Sequence, residues 1–380
     1  MVRLKRSYVV EGEIERKTSN PASLNGTMGV MCRQPGVYKK LMAGISDLLG
    51  GRTMSGRSID VQWKLGPTTV YGTLVLPPGP GPFPAVVMVA GSGPTDRDWN
   101  SPLVPGTNGS ARLIAEALAE AGIASLRYDK RVSGPHAQEN VAHLLGQISM
   151  SSHVEELLGA VDLLAERPDI DVSHIYGLGN SEGTLHVLNY QLATPMVPLA
   201  GIILTGPPGR AVGVVARSQL AVEANTLPNK DAFMVLYDSA IARFLDGQPV
   251  APDPALPESI QLLLKSLESP ANLPFARELW SVDAAILLEK VDGPVLVIIG
   301  KKDMQIDWEN DGERLTHAAS GHVDVVLLFP DNANHVLKYE PKARTQLTVG
   351  EVSQGYNAVD AILDPETIGA ILVWLLARIA

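Results

Sequence analysis

The segment Gly179-Asn180-Ser181-Glu182-Gly183 is the most informative part of the sequence, because it lies where a predicted strand ends and a predicted helix begins. The strand begins at His174–Gly177, and residues 183–192 carry leucines on one helical face. A serine on so tight a turn has strained backbone geometry and projects its hydroxyl off the sheet. The flanking glycines avoid collisions with neighbouring backbone. The pattern therefore predicts a nucleophilic Ser181, although G-x-S-x-G also occurs by chance in glycine-rich chains.

Apolar strands alternate with amphipathic helices on both sides of this turn. The predicted strands are Ile59–Trp63, Thr69–Leu76, Ala85–Ala90, Ile123–Tyr128, a strand from His174, Leu199–Thr205, Val295–Ile299 and Val323–Phe329. The predicted helices are Ala111–Ala121, Val154–Ala165, Gly183–Leu192 and Ile368–Ile379. Such alternation predicts an α/β fold, with a mostly parallel central sheet and helices on both faces.

The alternation is interrupted once, between residues 207 and 288, which show helical patterns and prolines but no clear strand. An insertion of this size between two strands predicts a helical cap over the carboxyl ends of the strands, where open sheets bind ligands. We therefore predict an α/β domain formed by residues 56–206 and 289–380, with residues 207–288 as the cap. Residues 1–55 are an N-terminal extension of undefined role.

Composition narrows the class of protein. The 380 residues are 45% hydrophobic and 19% charged, which supports a large core and excludes global disorder. With 31 basic and 41 acidic residues the net charge is −10, which argues against binding to nucleic acid. The single cysteine, Cys32, excludes an internal disulfide and a cysteine-based zinc site.

The sequence shows neither a signal peptide nor an apolar run long enough to span a bilayer. We therefore expect a soluble, cytoplasmic protein without membrane insertion. Whether the chain forms a homo-oligomer stays open.

Two further segments carry a resemblance to a known family. The sequence GSGPTDRD, Gly91–Asp98, directly follows the strand Ala85–Ala90, and LRYDKR, Leu126–Arg131, closes the next strand. Together with the serine turn, they resemble the bacterial serine carboxylesterases of the α/β-hydrolase superfamily over residues 58–380. Two departures stand out: Asn180 replaces a frequent histidine, and Val132-Ser133-Gly134 replaces Gly-Val-Gly. The resemblance implies the α/β-hydrolase fold with a cap, and hydrolysis of small-molecule carboxylic esters without a metal or organic cofactor.

A serine hydroxyl needs a base to take its proton, and an acid must hold that base in one tautomer. In the α/β-hydrolase fold these partners follow in the order Ser, Asp or Glu, His. Asp303 follows the strand Val295–Ile299, and His335 follows the last strand, so both lie beyond carboxyl ends of strands. We predict His335 as the base and Asp303 as the orienting acid, with Asp307 as the second candidate acid.

The predicted chemistry is acyl transfer through an acyl-enzyme. The oxyanion of the tetrahedral intermediate accepts hydrogen bonds from two backbone amides. One is the amide of Glu182, and the other is that of Ser92, with Gly91 as the less favoured alternative. The charged groups nearby either orient the substrate or form ion pairs that pin the loop (Asp96, Arg97, Asp98, Arg127, Asp129, Lys130, Arg131).

The substrate pocket is predicted from the residue beside the serine and from apolar and aromatic cap residues, although apolar cap residues also serve packing. These candidates are Asn180, Met234, Tyr237, Phe244 and Trp280.

Competing functions remain open at this point. A thioesterase or a peptidase/amidase would use the same three residues, and a non-catalytic α/β-hydrolase would use the covered cavity to bind a ligand. The chain has no G-K-[ST] phosphate loop and no G-x-G-x-x-G after a strand, which argues against nucleotide binding.

Overall fold

The computed structural model describes residues 56–226, 229–358 and 360–379. The predicted N-terminal extension, residues 1–55, lies outside the described residues. Eight strands form one sheet in the order β1-β2-β4-β3-β5-β6-β7-β8. The strands are β1 Arg57–Leu65, β2 Thr68–Leu76, β3 Phe83–Val89, β4 Ala124–Tyr128, β5 Ile170–Asn180, β6 Gly201–Thr205, β7 Val295–Ile298 and β8 Val325–Leu328.

Only β2 runs against its neighbours, pairing antiparallel with β1 and β4, whereas the pairs from β4 to β8 are parallel. This strand order with one reversed strand is that of the α/β-hydrolase fold, as predicted. The carboxyl ends of β3, β5, β7 and β8 therefore meet at one edge of the sheet, where ligands bind in open α/β folds.

Helices cover both faces of the sheet. They are α1 Ser110–Glu120, α2 Ala137–Leu144, α3 Met150–Ala165, α4 Glu182–Leu192, α5 Val212–Glu223, α6 Lys230–Leu245, α7 Glu258–Leu267, α8 Phe275–Trp280, α9 Ala284–Leu288, α10 Asn310–Ala318, α11 Val349–Gly355 and α12 Pro365–Ile379. On β3, Val86 and Met88 pack with α1 and α12, while Val87 and Val89 pack with α3 and α4. Burial on both faces explains why β3 is a continuous apolar run.

Two elements begin four residues earlier than the sequence predicts. Strand β5 begins at Ile170, earlier than His174, although its first residues are partly polar and exposed. Helix α3 begins at Met150, earlier than Val154, because Ser149 caps it and exchanges hydrogen bonds with Ser152. Exposed polar residues hide both starts from hydrophobic periodicity.

The described residues of the predicted cap, 207–226 and 229–288, form helices α5 to α9 and no strand. Helices α6 and α7 build a hydrophobic cluster of their own with Phe244 and Leu264 at its centre. Helix α9 instead packs Ala284 and Leu288 into the main core beside α4 and α10. Within the described part of the chain, no helix has the length and apolar character needed to cross a bilayer.

Candidate active site

Ser181 occupies a sharp turn between β5, which ends at Asn180, and α4, which begins at Glu182. Its backbone has φ 53° and ψ −122°, a conformation that is strained for any residue except glycine. A Cβ atom on Gly183 would lie 2.4 Å from the carbonyl oxygen of Val89. One on Gly179 would lie 2.5 Å from the carbonyl carbon of Gly183. The turn therefore forms only with both flanking glycines.

His335 and Asp303 form a buried pair at the same edge of the sheet. The Nδ1 atom of His335 lies 2.7 Å from Oδ2 of Asp303, whose other oxygen accepts hydrogen bonds of 2.8 Å from the amides of Gln305 and Ile306. Because an ionised carboxylate only accepts, Nδ1 carries the proton and Nε2 is left as the basic nitrogen. The two amides fix the carboxylate, and the carboxylate fixes the imidazole.

Asn180 connects the serine turn to the histidine loop. Its side-chain amide donates to the carbonyl oxygen of His335 at 3.1 Å and to Thr205 Oγ1 at 3.2 Å. Gly206, with φ +57°, passes so close that a Cβ atom there would lie 3.1 Å from Nδ1 of His335. The predicted nucleophile, base and acid thus belong to loops that contact one another.

Asp307, the second candidate acid, has a different role. Its carboxylate accepts hydrogen bonds from the amides of Glu309 and Asn310 and from the Asn310 side chain. These contacts stabilise the start of α10 and occupy both oxygens of Asp307. The carboxylate in contact with His335 is that of Asp303.

The loop after β3 approaches the serine closely. A Cβ atom on Gly91 would lie 3.2 Å from Cβ of Ser181, and Gly91 is buried. Ser92 and Glu182 line the same cavity as Ser181. The amide of Glu182 is in the first turn of α4, where backbone N–H groups have no intrahelical acceptor. Both predicted oxyanion donors therefore belong to residues beside the serine.

A cavity of about 260 Å³ opens beside Ser181. Its wall is mainly aliphatic and comes from α5, α8 and the loop after β7. The lining residues beyond Ser92, Ser181 and Glu182 are Pro208, Val212, Val215, Ala216, Gln219, Leu279, Gln305 and Ile306. Four of them, at 212, 215, 216 and 219, follow helical spacing on α5.

Four of the predicted pocket residues, Met234, Tyr237, Phe244 and Trp280, are not among the residues that line this cavity. Met234, Tyr237 and Phe244 are buried in the hydrophobic cluster of α6 and α7, and Trp280 packs against it. Trp280 meets Phe244 edge-on, with ring centroids 6.4 Å apart. Asn180 is also buried and serves the loop contacts described above rather than the cavity wall.

The charged segments after β3 and β4 form ion pairs with each other. Arg97 donates to Asp129 through its side chain at 2.6 and 3.0 Å, and its backbone amide adds a bond of 2.7 Å. Arg127 donates to Asp98 at 2.9 Å. These contacts correspond to the second interpretation given above, in which ion pairs pin the loop.

A second polar network is buried beneath the serine turn. Lys130 Nζ lies 2.7 Å from Glu182 Oε1, which also lies 3.1 Å from Nε2 of His186. Burial works to raise the pKa of Glu182, but Lys130 and His186 outweigh it and hold that pKa well below its usual range. Burial lowers the pKa of His186 to about 4, and the hydrogen bond to Glu182 offsets only part of this effect.

The network continues towards α3. The His153 ring stacks at an angle on that of His186, with centroids 4.7 Å apart, and its Nδ1 lies 2.9 Å from Glu156. Arg131 donates to Glu156 at 2.9 Å. Burial works to raise the pKa of Glu156, but His153 and Arg131 outweigh it and bring that pKa to about 2. Sequence reasoning missed this network, because its residues are far apart in the chain.

No group of three or more His, Cys, Asp or Glu side chains within residues 56–226, 229–358 and 360–379 is arranged to hold a metal ion.

The chain has the α/β-hydrolase fold, with the strand order of that fold, a strained serine turn and a buried histidine–aspartate pair. It is 30% identical over 268 residues to Esterase EstD of Thermotoga maritima, an alignment that covers 70% of this chain and 57% of that protein. The chain therefore spans less than two thirds of this relative's length. No protein-family model matches the chain.

The fold is shared with a solved esterase structure. The esterase PF2001 of Pyrococcus furiosus superimposes with a TM-score of 0.50 at 16% identity, covering 88% of this chain and 94% of that one. The α/β-hydrolase GrgF of Penicillium sp. sh18 has a TM-score of 0.49 at 19% identity, covering 85% and 99%.

Proposed function

We propose that the chain is a serine hydrolase that cleaves small-molecule carboxylic esters through an acyl-enzyme formed on Ser181. The observation that carries the proposal is the buried contact of 2.7 Å between His335 and Asp303, on a loop that Asn180 ties to the serine turn. The similarity to Esterase EstD favours esters over thioesters and amides.

In the first half-reaction, Nε2 of His335 takes the Ser181 proton while Oγ bonds to the ester carbonyl carbon. The carbonyl oxygen becomes an oxyanion that accepts hydrogen bonds from the amides of Glu182 and Ser92. The tetrahedral intermediate collapses, the carbon–oxygen bond to the alcohol breaks, and His335 gives the alcohol its proton. Water then attacks the acyl-enzyme by the same steps, which releases the acid and restores Ser181.

The cavity supports short acyl groups as the substrate class. Its volume is about 260 Å³, and its aliphatic wall contains Val212, Val215 and Leu279. An aliphatic cavity wall favours the burial of an alkyl chain over the burial of a charged group. We therefore expect acetyl and butyryl esters to be cleaved faster than octanoyl esters.

The test is hydrolysis of p-nitrophenyl acetate, butyrate and octanoate, with fluorophosphonate labelling in parallel. The proteins compared are the unmodified enzyme, Ser181→Ala and Ser173→Ala. Ser173 is the matched control, because it is an exposed serine near the beginning of β5, the strand that leads to Ser181.

We expect turnover and labelling to vanish in Ser181→Ala and to persist in Ser173→Ala. Turnover retained by folded Ser181→Ala would remove Ser181 from the reaction. Labelling without ester turnover would favour the thioesterase or amidase alternative, and the absence of both from folded enzyme would favour a ligand-binding protein.

A further inference from the structure

We propose that Lys130 is a positioning residue of the oxyanion hole: it holds the carbonyl of Gly91 and thereby directs the amide of Ser92 towards Ser181. The inference rests on the proposed serine hydrolase function, and it concerns a side chain that does not touch the substrate.

The ammonium group of Lys130 joins the two segments that supply the oxyanion donors. Nζ donates to the carbonyl oxygen of Gly91 at 2.7 Å and to Oε1 of Glu182 at 2.7 Å. Gly91 immediately precedes Ser92, one proposed donor, and Glu182 is itself the other. A single cation therefore sets the distance between the loop after β3 and the start of α4.

The direction of the Ser92 amide follows from the geometry of the peptide unit. In a trans peptide the C=O of one residue and the N–H of the next point to opposite sides. With the Gly91 carbonyl fixed on Lys130, the Ser92 N–H points away from Lys130. Ser92 and Ser181 line the same cavity, and Gly91 packs against the Ser181 side chain, so we infer that this N–H points into the cavity.

The loop needs such a restraint because its own backbone provides little. Gly91 and Gly93 flank Ser92, and Gly93 has φ +77°. Glycine has access to more backbone conformations than any other residue, so the Gly91–Ser92 peptide can rotate at small cost. An inverted peptide would direct a carbonyl oxygen, instead of an N–H donor, towards a developing negative charge.

The burial of the pair also indicates a role other than stability. The side chains of Lys130 and Glu182 are both only 3% exposed. Removing two charges from water offsets most of their attraction, so buried ion pairs contribute little net stability relative to apolar residues. We therefore assign the pair a role in fixing the relative position of the two segments that supply the oxyanion donors.

The next residue in the chain offers a matched control. Arg131 pairs with Glu156 at 2.9 Å, and the two side chains are 6% and 0% exposed. Arg131 thus belongs to an equally buried ion pair, but its contacts are with Glu155, Glu156, Thr68 and Ser152 rather than with the loop after β3.

The experiment compares Lys130→Met, Lys130→Arg, Lys130→Met/Glu182→Gln and Arg131→Met. It measures kcat and KM on p-nitrophenyl acetate, the inhibition constant of phenylboronic acid, and urea unfolding. The boronate forms a tetrahedral adduct with a catalytic serine, so its affinity reports on the oxyanion donors independently of turnover.

For Lys130→Met we expect kcat to fall by about 100-fold with KM nearly unchanged, because the lost interaction acts in the transition state. The inhibition constant of the boronate should rise in parallel. Lys130→Arg, whose guanidinium keeps donors for both acceptors, should recover part of kcat. The double variant removes the unpaired carboxylate, so it should regain stability without regaining kcat, and Arg131→Met should keep kcat while it loses stability.

The proposal is overturned if Lys130→Met keeps kcat and boronate affinity, or if the double variant regains kcat together with stability, since the role would then be charge balance. If Lys130→Met does not fold, the double variant and Lys130→Arg decide the question. Loss of turnover in Ser181→Ala, measured first, separates these outcomes from failure of the proposed function.

Discussion

The side chain of Asn180 donates a hydrogen bond of 3.1 Å to the backbone carbonyl oxygen of His335. The residue before Ser181 therefore holds the loop that carries His335, 155 positions later in the chain. The same amide donates to Thr205 on β6, so one buried side chain connects the serine turn, the end of β6 and the loop of His335.

We expect Asn180→Ala to lower kcat by about 10- to 100-fold, because a small displacement of the imidazole removes the near-attack geometry. Stopped-flow or steady-state hydrolysis of p-nitrophenyl acetate measures the effect. Asn189→Ala, near the far end of α4, serves as the control and should keep the original rate. Equal rates in the two variants would contradict the role given to Asn180.

Two substitutions that each remove one negative charge distinguish between the two candidate acids, Asp303 and Asp307. Asp303→Asn should lower kcat by about 10⁴-fold, because the amide no longer selects the Nδ1–H tautomer of His335. Asp307→Asn should keep kcat and lower the free energy of unfolding by about 1 kcal/mol, because it weakens the start of α10. Ester hydrolysis and urea unfolding measure the two effects, and the reverse ranking in kcat would reassign the acid.

The lowered pKa of the buried His186 predicts that the protein loses stability in mild acid. Its pKa is about 4 in the folded chain against an ordinary value of 6.5, so the unfolded chain binds the proton more readily. The stabilising contribution is therefore complete above about pH 6.5 and is lost as the pH falls towards about 4. Between pH 7 and pH 5 we expect a loss of about 1 to 2 kcal/mol from this group.

Urea unfolding at both pH values measures this loss. His186→Gln should reduce the difference between the two pH values, whereas His317→Gln, at an exposed position on α10, should leave it unchanged. An unchanged difference in His186→Gln would show that other groups cause the acid sensitivity.

The cavity wall can be tested through chain-length preference. Leu279→Ala removes three carbons from the wall, so the ratio of octanoate to acetate turnover should rise by about tenfold. Tyr237→Phe changes a residue in the hydrophobic cluster of α6 and α7 and should leave the ratio unchanged. A shift in Tyr237→Phe without one in Leu279→Ala would restore the cap residues as pocket candidates.

Sequence patterns predicted the parts of the molecule that are specified by residues close to one another in the chain. The alternation of apolar strands and helices predicted the sheet, and glycines around Ser181 predicted the turn. The order of Ser, Asp and His, together with the positions of Asp303 after β7 and His335 after β8, predicted that these two residues interact. Their predicted catalytic roles are tested by the experiments described above.

Contacts between distant residues were beyond such patterns. Met234 and Val215 are both apolar residues on helices of the inserted segment, yet only Val215 lines the cavity. Hydrophobicity alone does not distinguish the wall of a cavity from the interior of a cap. The contact of Lys130 with Gly91 spans 39 residues and has no periodic signal.

The positive φ of Ser181 makes the folded chain less stable at this position than an unstrained backbone would be. A non-glycine residue in such a conformation costs about 1 to 3 kcal/mol, and glycine would remove most of this strain at the expense of a more flexible unfolded chain. Selection for stability alone would therefore favour glycine at position 181, and that protein would lack the serine hydroxyl. The proposed reaction requires the hydroxyl that glycine lacks, so backbone strain and chemistry favour different residues at position 181.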